Sequence, residues 1–112
     1  MFCTVTPMDY HGRLADSSPV RAAGWRPGQP ITLTVSRSPA LVIINADGPD
    51  KITSSGHLQL PAKIRRICTL STGERLFVAV TTRPVTLTVY PMATIEVIIN
   101  QQRQSTLRTE IR

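Results

Sequence analysis

The side chains of this 112-residue chain that are best suited to chemistry are basic, and they gather in its second half. Residues 51–66 hold no acidic residue and four basic ones, which are Lys51, Lys63, Arg65 and Arg66. The net charge of +6 comes from residues 51–112, because the first half balances four arginines with four aspartates. Basic residues are common on solvated faces, but such a face usually mixes both signs of charge. The pattern therefore favours a polyanionic partner.

Catalytic or metal chemistry has little support. The histidines are His11 and His57, and neither has a carboxylate or a cysteine at the spacing of a metal site. Cys3 and Cys68 form no paired motif, so we expect two reduced thiols. The acidic residues are few and scattered, and the sequence has no glycine-rich phosphate loop. We therefore expect no enzyme, no metal site and no cofactor.

The elements that must position the basic residues follow one another closely. The pattern predicts a strand at Lys51–Ser54, a turn at Ser55–Gly56, a strand at His57–Leu60, a helix from Pro61, a turn at Ser71–Gly73 and a strand at Leu76–Val80. Proline suits the first position of a helix, where its missing N–H costs no hydrogen bond. The predicted helix has its three basic residues on a polar side and Ile64 and Ile67 on an apolar side.

This order of motifs resembles the AbrB/MazE/SpoVT family of swapped-hairpin DNA-binding domains. The matching motifs are Lys51-Ile52-Thr53, Gly56 with the residue after it, Leu60-Pro61, Ile64-Arg65-Arg66 and Gly73-Glu74-Arg75-Leu76. No single motif is specific, and the resemblance lies in the ordered set. It departs from the family at His57, where many members carry Arg or Gln. A histidine can still donate a hydrogen bond there, with little charge at neutral pH.

The resemblance implies a bacterial or archaeal transcription regulator or antitoxin that presents basic residues to double-stranded DNA. We expect Arg65 and Arg66 to contact phosphates or guanine edges, and Lys51 and Lys63 to hold the DNA backbone. The complete set of candidate DNA-binding residues is Lys51, His57, Lys63, Arg65 and Arg66, with Arg13 and Arg21 from the first half of the chain.

The first half of the chain resembles the second. Gly12 and Leu14 match Gly56 and Leu58 at an offset of 44, and Val20-Arg21 match Ile64-Arg65 at the same offset. After one extra residue in the second copy, the remaining matches are Gly28-Gln29 with Gly73-Glu74, Ile31–Val35 with Leu76–Val80, Pro39 with Pro84, and Trp25 with Leu70 as a buried anchor. A repeat of this length is a supersecondary unit that cannot bury its apolar face alone.

We therefore predict a mainly β protein in which one chain supplies both halves of a small swapped-hairpin β-barrel with two short helices. Residues 1–47 form a degenerate first repeat and residues 50–91 the clearer second repeat, with fourth strands at Ala40–Ile44 and Val85–Val89. Turn residues within Asn45–Asp50 suit a linker. In the first repeat, Ser17 or Ser18 is expected to cap the short helix.

The tail, residues 92–112, is predicted to contain a helix and a mobile basic end. Met92, Ile95, Ile98 and Ile99 lie at helical spacing, although the β-branched run leaves a strand possible. The segment either packs on the barrel or exposes an apolar face that dimerises or binds a protein partner. From Asn100 onwards we expect the chain to be mobile.

These observations predict a cytoplasmic DNA-binding transcription regulator. The start of the chain has no basic segment followed by a long apolar run, and no stretch approaches the roughly 20 apolar residues of a membrane span. Two alternatives stay open. One is an antitoxin-like protein whose tail binds a partner toxin, and the other is a barrel that binds protein only.

Overall fold

Six antiparallel strands form one open sheet, and three helices accompany it. The computed structural model describes the backbone of residues 1–111 and the side chains of residues 1–107. The elements are β1 (Phe2–Pro7), α1 (Ser18–Ala22), β2 (Pro30–Arg37), β3 (Ala40–Ala46), β4 (Asp50–Lys51), α2 (Ala62–Ile67), β5 (Arg75–Thr82), β6 (Val85–Pro91) and α3 (Met92–Ile111). The strand order across the sheet is β1-β5-β6-β3-β2-β4. The prediction of a mainly β protein with a C-terminal helix is confirmed.

The two repeats exchange their first strands. β1 of the first repeat pairs with β5 of the second, and β4 of the second repeat pairs with β2 of the first. Pro7 lies opposite Arg75, and at the repeat offset Lys51 lies opposite Pro30. Each repeat therefore completes the sheet of the other, and the sheet is shared.

The centre of the sheet has approximate two-fold symmetry. Where β3 pairs with β6, Ile43 faces Thr88, and the flanking pairs are Val42 with Val89 and Ile44 with Leu87. A shift of 45 residues converts one flanking pair into the other. The same shift relates the cis peptide bonds Ser38–Pro39 and Arg83–Pro84 in the two hairpin turns.

A single core fills the molecule. Side chains alternate along β5, so that Leu76, Val78 and Val80 are fully buried, and Leu87 and Val89 of β6 join them. The two loop regions contribute further buried residues, which include Met8, Leu14, Trp25, Ile52, Leu58 and Leu60. Trp25 is the buried anchor that the sequence predicts. Because these residues come from both repeats, neither repeat has a core of its own.

Closure of the sheet into a barrel by strand pairing is not observed. β1 and β4 are the two edges of the sheet. The predicted strand at Lys51–Ser54 is reduced to the two residues of β4, because the chain turns back at Thr53, whose N–H donates to the carbonyl of His57. The segment His57–Leu60 forms only an isolated bridge between Gln59 and Arg13.

The two short helices differ in length by one residue. α2 has six residues and α1 has five, so the extra residue of the second repeat lies within the helix. The N–H of Trp25 donates to the carbonyl of Val20, and the N–H of Leu70 donates to that of Arg65. The offset is therefore 45 at the end of the helices. At their start, the N–H of Arg21 donates to the carbonyl of Ser17 as that of Arg65 donates to Pro61, and Val20 and Ile64 are both buried, so the predicted match of Val20-Arg21 with Ile64-Arg65 holds.

The start of α1 is held by Asp16. Neither Ser17 nor Ser18 caps the helix through its side chain as predicted. Instead, Asp16 Oδ1 accepts the N–H of Ser18 at 2.8 Å, and Asp16 Oδ2 accepts the hydroxyl of Thr4 at 2.9 Å. The hydrogen bonds from Ser18 come first among the causes that lower the pKa of Asp16.

The tail is helical, and its apolar residues are largely exposed. Only the first turn of α3 packs on the sheet, where the hydroxyl of Thr94 donates to the carbonyl of Ala40 at 2.5 Å. From Glu96 to Leu107 every side chain is exposed. The helix continues through the segment expected to be mobile as far as Ile111, and Arg112 lies outside the described residues. Among residues 1–111, no helix is long and apolar enough to cross a membrane.

Candidate nucleic-acid interface

Two tight turns, one from each repeat, form the centre of the candidate surface. We call Asp9–Arg13 the first tip and Thr53–His57 the second tip. In each, the first residue donates its N–H to the carbonyl of the last, at 2.9 Å in the first tip and 3.0 Å in the second. Gly12 and Gly56 have φ angles of 85° and 84°, which L-residues with side chains rarely adopt. The equivalence of the two glycines predicted from the sequence therefore holds in three dimensions.

The residue before each tip is bonded to a glycine turn of the other repeat, which is Gly73-Glu74 for the first tip and Gly28-Gln29 for the second. Met8, which precedes the first tip, donates its N–H to the carbonyl of Glu74 and accepts the N–H of Gly73. Ile52, which precedes the second tip, forms the same two bonds with Gln29 and Gly28. The exchange of strands therefore continues into the loops, and each tip lies among residues of the other repeat.

A carboxylate holds the inside of the first tip. Asp9 accepts the N–H groups of His11 and Arg13 and the Nε–H of Arg13, all at 2.9 Å. Desolvation is the largest influence on the pKa of Asp9 and raises it, but these hydrogen bonds and the charge of Arg13 together outweigh it and lower the pKa. Asp9 thus stays ionised at neutral pH, and Arg13 is occupied by an ion pair within its own tip.

Arg65 lies beside the first tip and is half-buried. Its Nε donates to the carbonyl of Leu60 at 3.0 Å, and its Nη1 donates to the carbonyl of Tyr10 at 3.1 Å. The sequence predicts Arg65 as a contact to phosphate or guanine. In the structure, part of its guanidinium is instead bound to the backbone of the protein.

His57 joins the two repeats. Its ring Nδ1 lies 2.9 Å from the carbonyl oxygen of Leu14, so Nδ1 carries the proton that is donated. In the neutral ring, Nε2 is then an acceptor. The predicted donation from His57 to a base or phosphate is therefore limited to the doubly protonated ring.

Lys51, Lys63 and Arg66 are exposed. Within residues 1–107, no ion pair or hydrogen bond of the protein engages any of these three side chains. Lys63 and Arg66 lie on α2, and Lys51 lies on the edge strand β4. Of the predicted DNA-binding residues, these three remain available to a polyanion.

The two predicted DNA-binding residues of the first repeat are engaged by the protein itself. Arg21 is exposed, but its Nη1 donates to the hydroxyl of Ser17 at 2.6 Å. Arg13 is bound to Asp9, as described above. Sequence reasoning missed Gln59, whose Nε2 donates to the carbonyl of His11 at 2.9 Å. No local signal could have identified it, because its partner lies 48 positions away in the chain.

The two cysteines lie in different surroundings. Cys3 is exposed, Cys68 is buried, and both are free thiols. Burial raises the pKa of the Cys68 thiol, which makes it a poor nucleophile at neutral pH. Among the described residues, no group of three or more His, Cys, Asp or Glu side chains is placed to hold a metal ion.

Comparison with known proteins adds no relative. No family model matches the chain, and no curated protein or solved structure matches it either.

Proposed function

We propose that this protein is a DNA-binding transcription regulator of the AbrB/MazE/SpoVT type. The observation that carries the proposal is the exposed pair Lys63 and Arg66 on α2, beside the first tip and without a protein partner among the described side chains. An exposed, positively charged surface binds phosphates and releases counterions from DNA. Lys51 adds a further exposed cation from β4.

The proposal extends to the architecture. The exchange of β1 and β4 between repeats supports a single-chain form of the swapped-hairpin arrangement that two identical chains build in that family. A cytoplasmic location accompanies this role. Two identical chains favour a palindromic site, since the symmetry of the protein is mirrored in the DNA. Because the two tips and helices of this chain differ, we expect a site whose halves differ in sequence.

Fluorescence anisotropy with labelled duplexes from the protein's own promoter tests the proposal at several salt concentrations. Lys63→Ala with Arg66→Ala should weaken binding and reduce the slope of log K against log salt by about two units, since each phosphate contact contributes about 0.9. The matched control is Arg83→Ala with Arg103→Ala, which removes two exposed cations from a hairpin turn and from α3. Thermal melts check that both variants fold.

The expected result for the control is a slope within half a unit of wild type, an estimate based on the contribution of about 0.9 per contact. Equal losses from both double variants would mean that the basic charge acts diffusely and that α2 is not the interface. Absence of wild-type binding at low salt would contradict the proposal itself and would favour a protein partner.

The tail supports a second candidate function. α3 exposes Val97, Ile98, Ile99 and Leu107, with about half of each side chain's surface accessible on average. An antitoxin-like protein would use such a helix to bind a toxin, in addition to DNA. Val97→Asn with Ile99→Asn should leave DNA affinity unchanged and abolish neutralisation of a toxin encoded beside this gene. Unchanged neutralisation would exclude this helix as the partner site.

A further inference from the structure

Three successive carbonyl groups of the first tip accept hydrogen bonds from the second repeat. The carbonyl of Tyr10 accepts from Arg65 Nη1 at 3.1 Å, and that of His11 accepts from Gln59 Nε2 at 2.9 Å. The carbonyl of Gly12 accepts the N–H of Leu60 at 2.8 Å. The outer backbone of the first tip is therefore fixed by donors from one short segment, residues 59–65.

Arg65 also fixes the position of this segment. Its Nε donates to the carbonyl of Leu60, the residue whose N–H binds Gly12. Space here is minimal, since a Cβ placed on Gly12 would lie 2.2 Å from the carbonyl oxygen of Leu60 and 2.9 Å from Arg65 Nε. Arg65, Leu60 and the first tip thus form one closely packed unit.

The second tip lacks such a unit. The carbonyls equivalent to those of Tyr10, His11 and Gly12 belong to Ser54, Ser55 and Gly56. Within the described residues, none of these three accepts a hydrogen bond from the first repeat. A Cβ placed on Gly56 would have Pro27 as its nearest neighbour, at an ordinary contact distance of 3.7 Å. The residue equivalent to Arg65 is Arg21, whose Nη1 donates to the hydroxyl of Ser17 in its own repeat at 2.6 Å and not to the second tip.

We infer that Arg65 is a positioning residue that fixes the conformation of the first tip, and that contact with phosphate falls to Lys63 and Arg66. The second part of this inference rests on the proposed function, whereas the first part does not. A planar guanidinium suits the task, because it directs donors to two carbonyls from fixed positions, which a lysine ammonium does not reproduce.

Hydrogen exchange of the free protein tests the first part without DNA. Arg65→Ala should accelerate exchange of the Leu60 and Gly12 amides by about tenfold, since two charge-assisted hydrogen bonds are lost. The Gly56 and His57 amides of the second tip should keep their wild-type rates. Arg66→Ala is the matched control, because Arg66 is the next residue on the helix and has no such bonds, and it should change neither tip.

Arg65→Lys separates geometry from charge. If Arg65 acts through its two carbonyl contacts, Arg65→Lys should accelerate exchange in the first tip as Arg65→Ala does. Restoration of wild-type exchange by lysine would show that charge alone suffices and would overturn the inference. Should Arg65→Ala melt at too low a temperature for measurement, Arg65→Lys provides the same comparison of the two tips.

DNA titration tests the second part. Arg65→Ala should reduce affinity while leaving the slope of log K against log salt at its wild-type value, whereas Arg66→Ala should reduce the slope by about one unit. If Arg65→Ala reduces the slope as much as Arg66→Ala does and leaves hydrogen exchange in the first tip unchanged, Arg65 is a phosphate contact and the inference is overturned. If the wild-type protein binds no DNA, the proposed function fails, and the exchange rates still decide the role of Arg65.

Discussion

The first and second tips have almost the same backbone and different means of holding it. Asp9 closes the first tip with a carboxylate that accepts three hydrogen bonds. At the equivalent position, Thr53 accepts the N–H of His57 with its hydroxyl at 3.0 Å and contacts the hydroxyl of Ser55. Two-fold symmetry of the backbone therefore does not require equivalent side-chain chemistry, because the turn and its glycine define the shape in both copies.

The two short helices, α1 and α2, differ in their exposed basic side chains. α2 carries two exposed cations without a described protein partner, and α1 carries Arg21, which is bound to Ser17. Since the strands are exchanged, α2 of the second repeat lies beside the first tip. The most basic helix and the most firmly held tip therefore meet at one surface, to which each repeat contributes.

The largest expected effect comes from separating the repeats. Expressed alone, residues 1–47 should lose the partner of β1, and residues 50–91 should lose the partner of β4. Neither fragment should show a cooperative thermal transition by circular dichroism, because each half is too small to bury a sufficient core. An equimolar mixture should regain β structure.

A cooperative, monomeric fold in either fragment would show that the repeats are independent domains. The control is the full chain cut by a protease between Asp47 and Pro49, because its two repeats have already folded together before they are separated.

The two glycines should give the next largest effect. Gly56→Ala should cost about 1–2 kcal/mol, because its φ is unfavourable for a residue with a side chain. Gly12→Ala has the same backbone strain and also forces a methyl group against the Leu60 carbonyl. Overpacking of this kind adds roughly 1–3 kcal/mol. Urea unfolding of both variants measures the difference.

Equal destabilisation by the two substitutions would mean that the first tip is no more tightly packed than the second. In Gly12→Ala, hydrogen exchange should also become faster at Leu60, whose N–H donates to Gly12. Gly56→Ala should leave the Leu60 amide unchanged.

The smallest expected effect is the response of the first tip to acidic pH. The pKa of Asp9 in the folded protein lies below its usual 3.8, so its stabilising contribution is complete above that value and is lost as the pH falls through the lowered pKa. Below about pH 4, amide signals of His11 and Arg13 should shift while that of Gly56 stays constant, as followed by nuclear magnetic resonance. Asp9→Thr copies the second tip and should remove the shift.

Asp16 also has a lowered pKa and titrates in the same acidic range, which is why the measurement uses amides bonded to Asp9 itself. Shifts of His11 and Arg13 that persist in Asp9→Thr would assign the transition to another carboxyl group. The response to acidic pH would then not distinguish the first tip from the second.

Local sequence signals predicted much of the fold. The apolar run Leu76–Val80 and the repeat predicted the four hairpin strands, and glycines at matching positions predicted both tips. The extra residue of the second repeat was predicted, and the structure places it within α2. The short length of β4 could not be predicted, because the apolar pattern does not show that the chain turns back at Thr53. The repeat alone does not predict that β1 pairs with β5. That pairing also requires the exchange of first strands between repeats, which the family resemblance implies.

The sequence predicted which basic residues form the candidate site, but it did not predict the role of each one. Exposure of Lys63 and Arg66 agrees with the side of the helix assigned to them. Arg65 was assigned to the same polar side, but its distinctive contact is with Tyr10, which lies 55 positions earlier in the chain. Only the folded structure brings such residues together, and no spacing within the sequence indicates that a basic side chain will be used internally.

The short connection from Asp47 to Pro49 between β3 and β4 has a consequence for how the protein can change over evolutionary time. In a pair of identical chains, each substitution occurs twice, and its cost or benefit is imposed on both halves at once. Here a substitution in one tip occurs once and leaves the other tip as it was. The connection also makes the stability of the shared sheet independent of protein concentration, since no association between chains is needed to form it. Each half can therefore acquire its own preference in small steps, with the other half maintaining the fold.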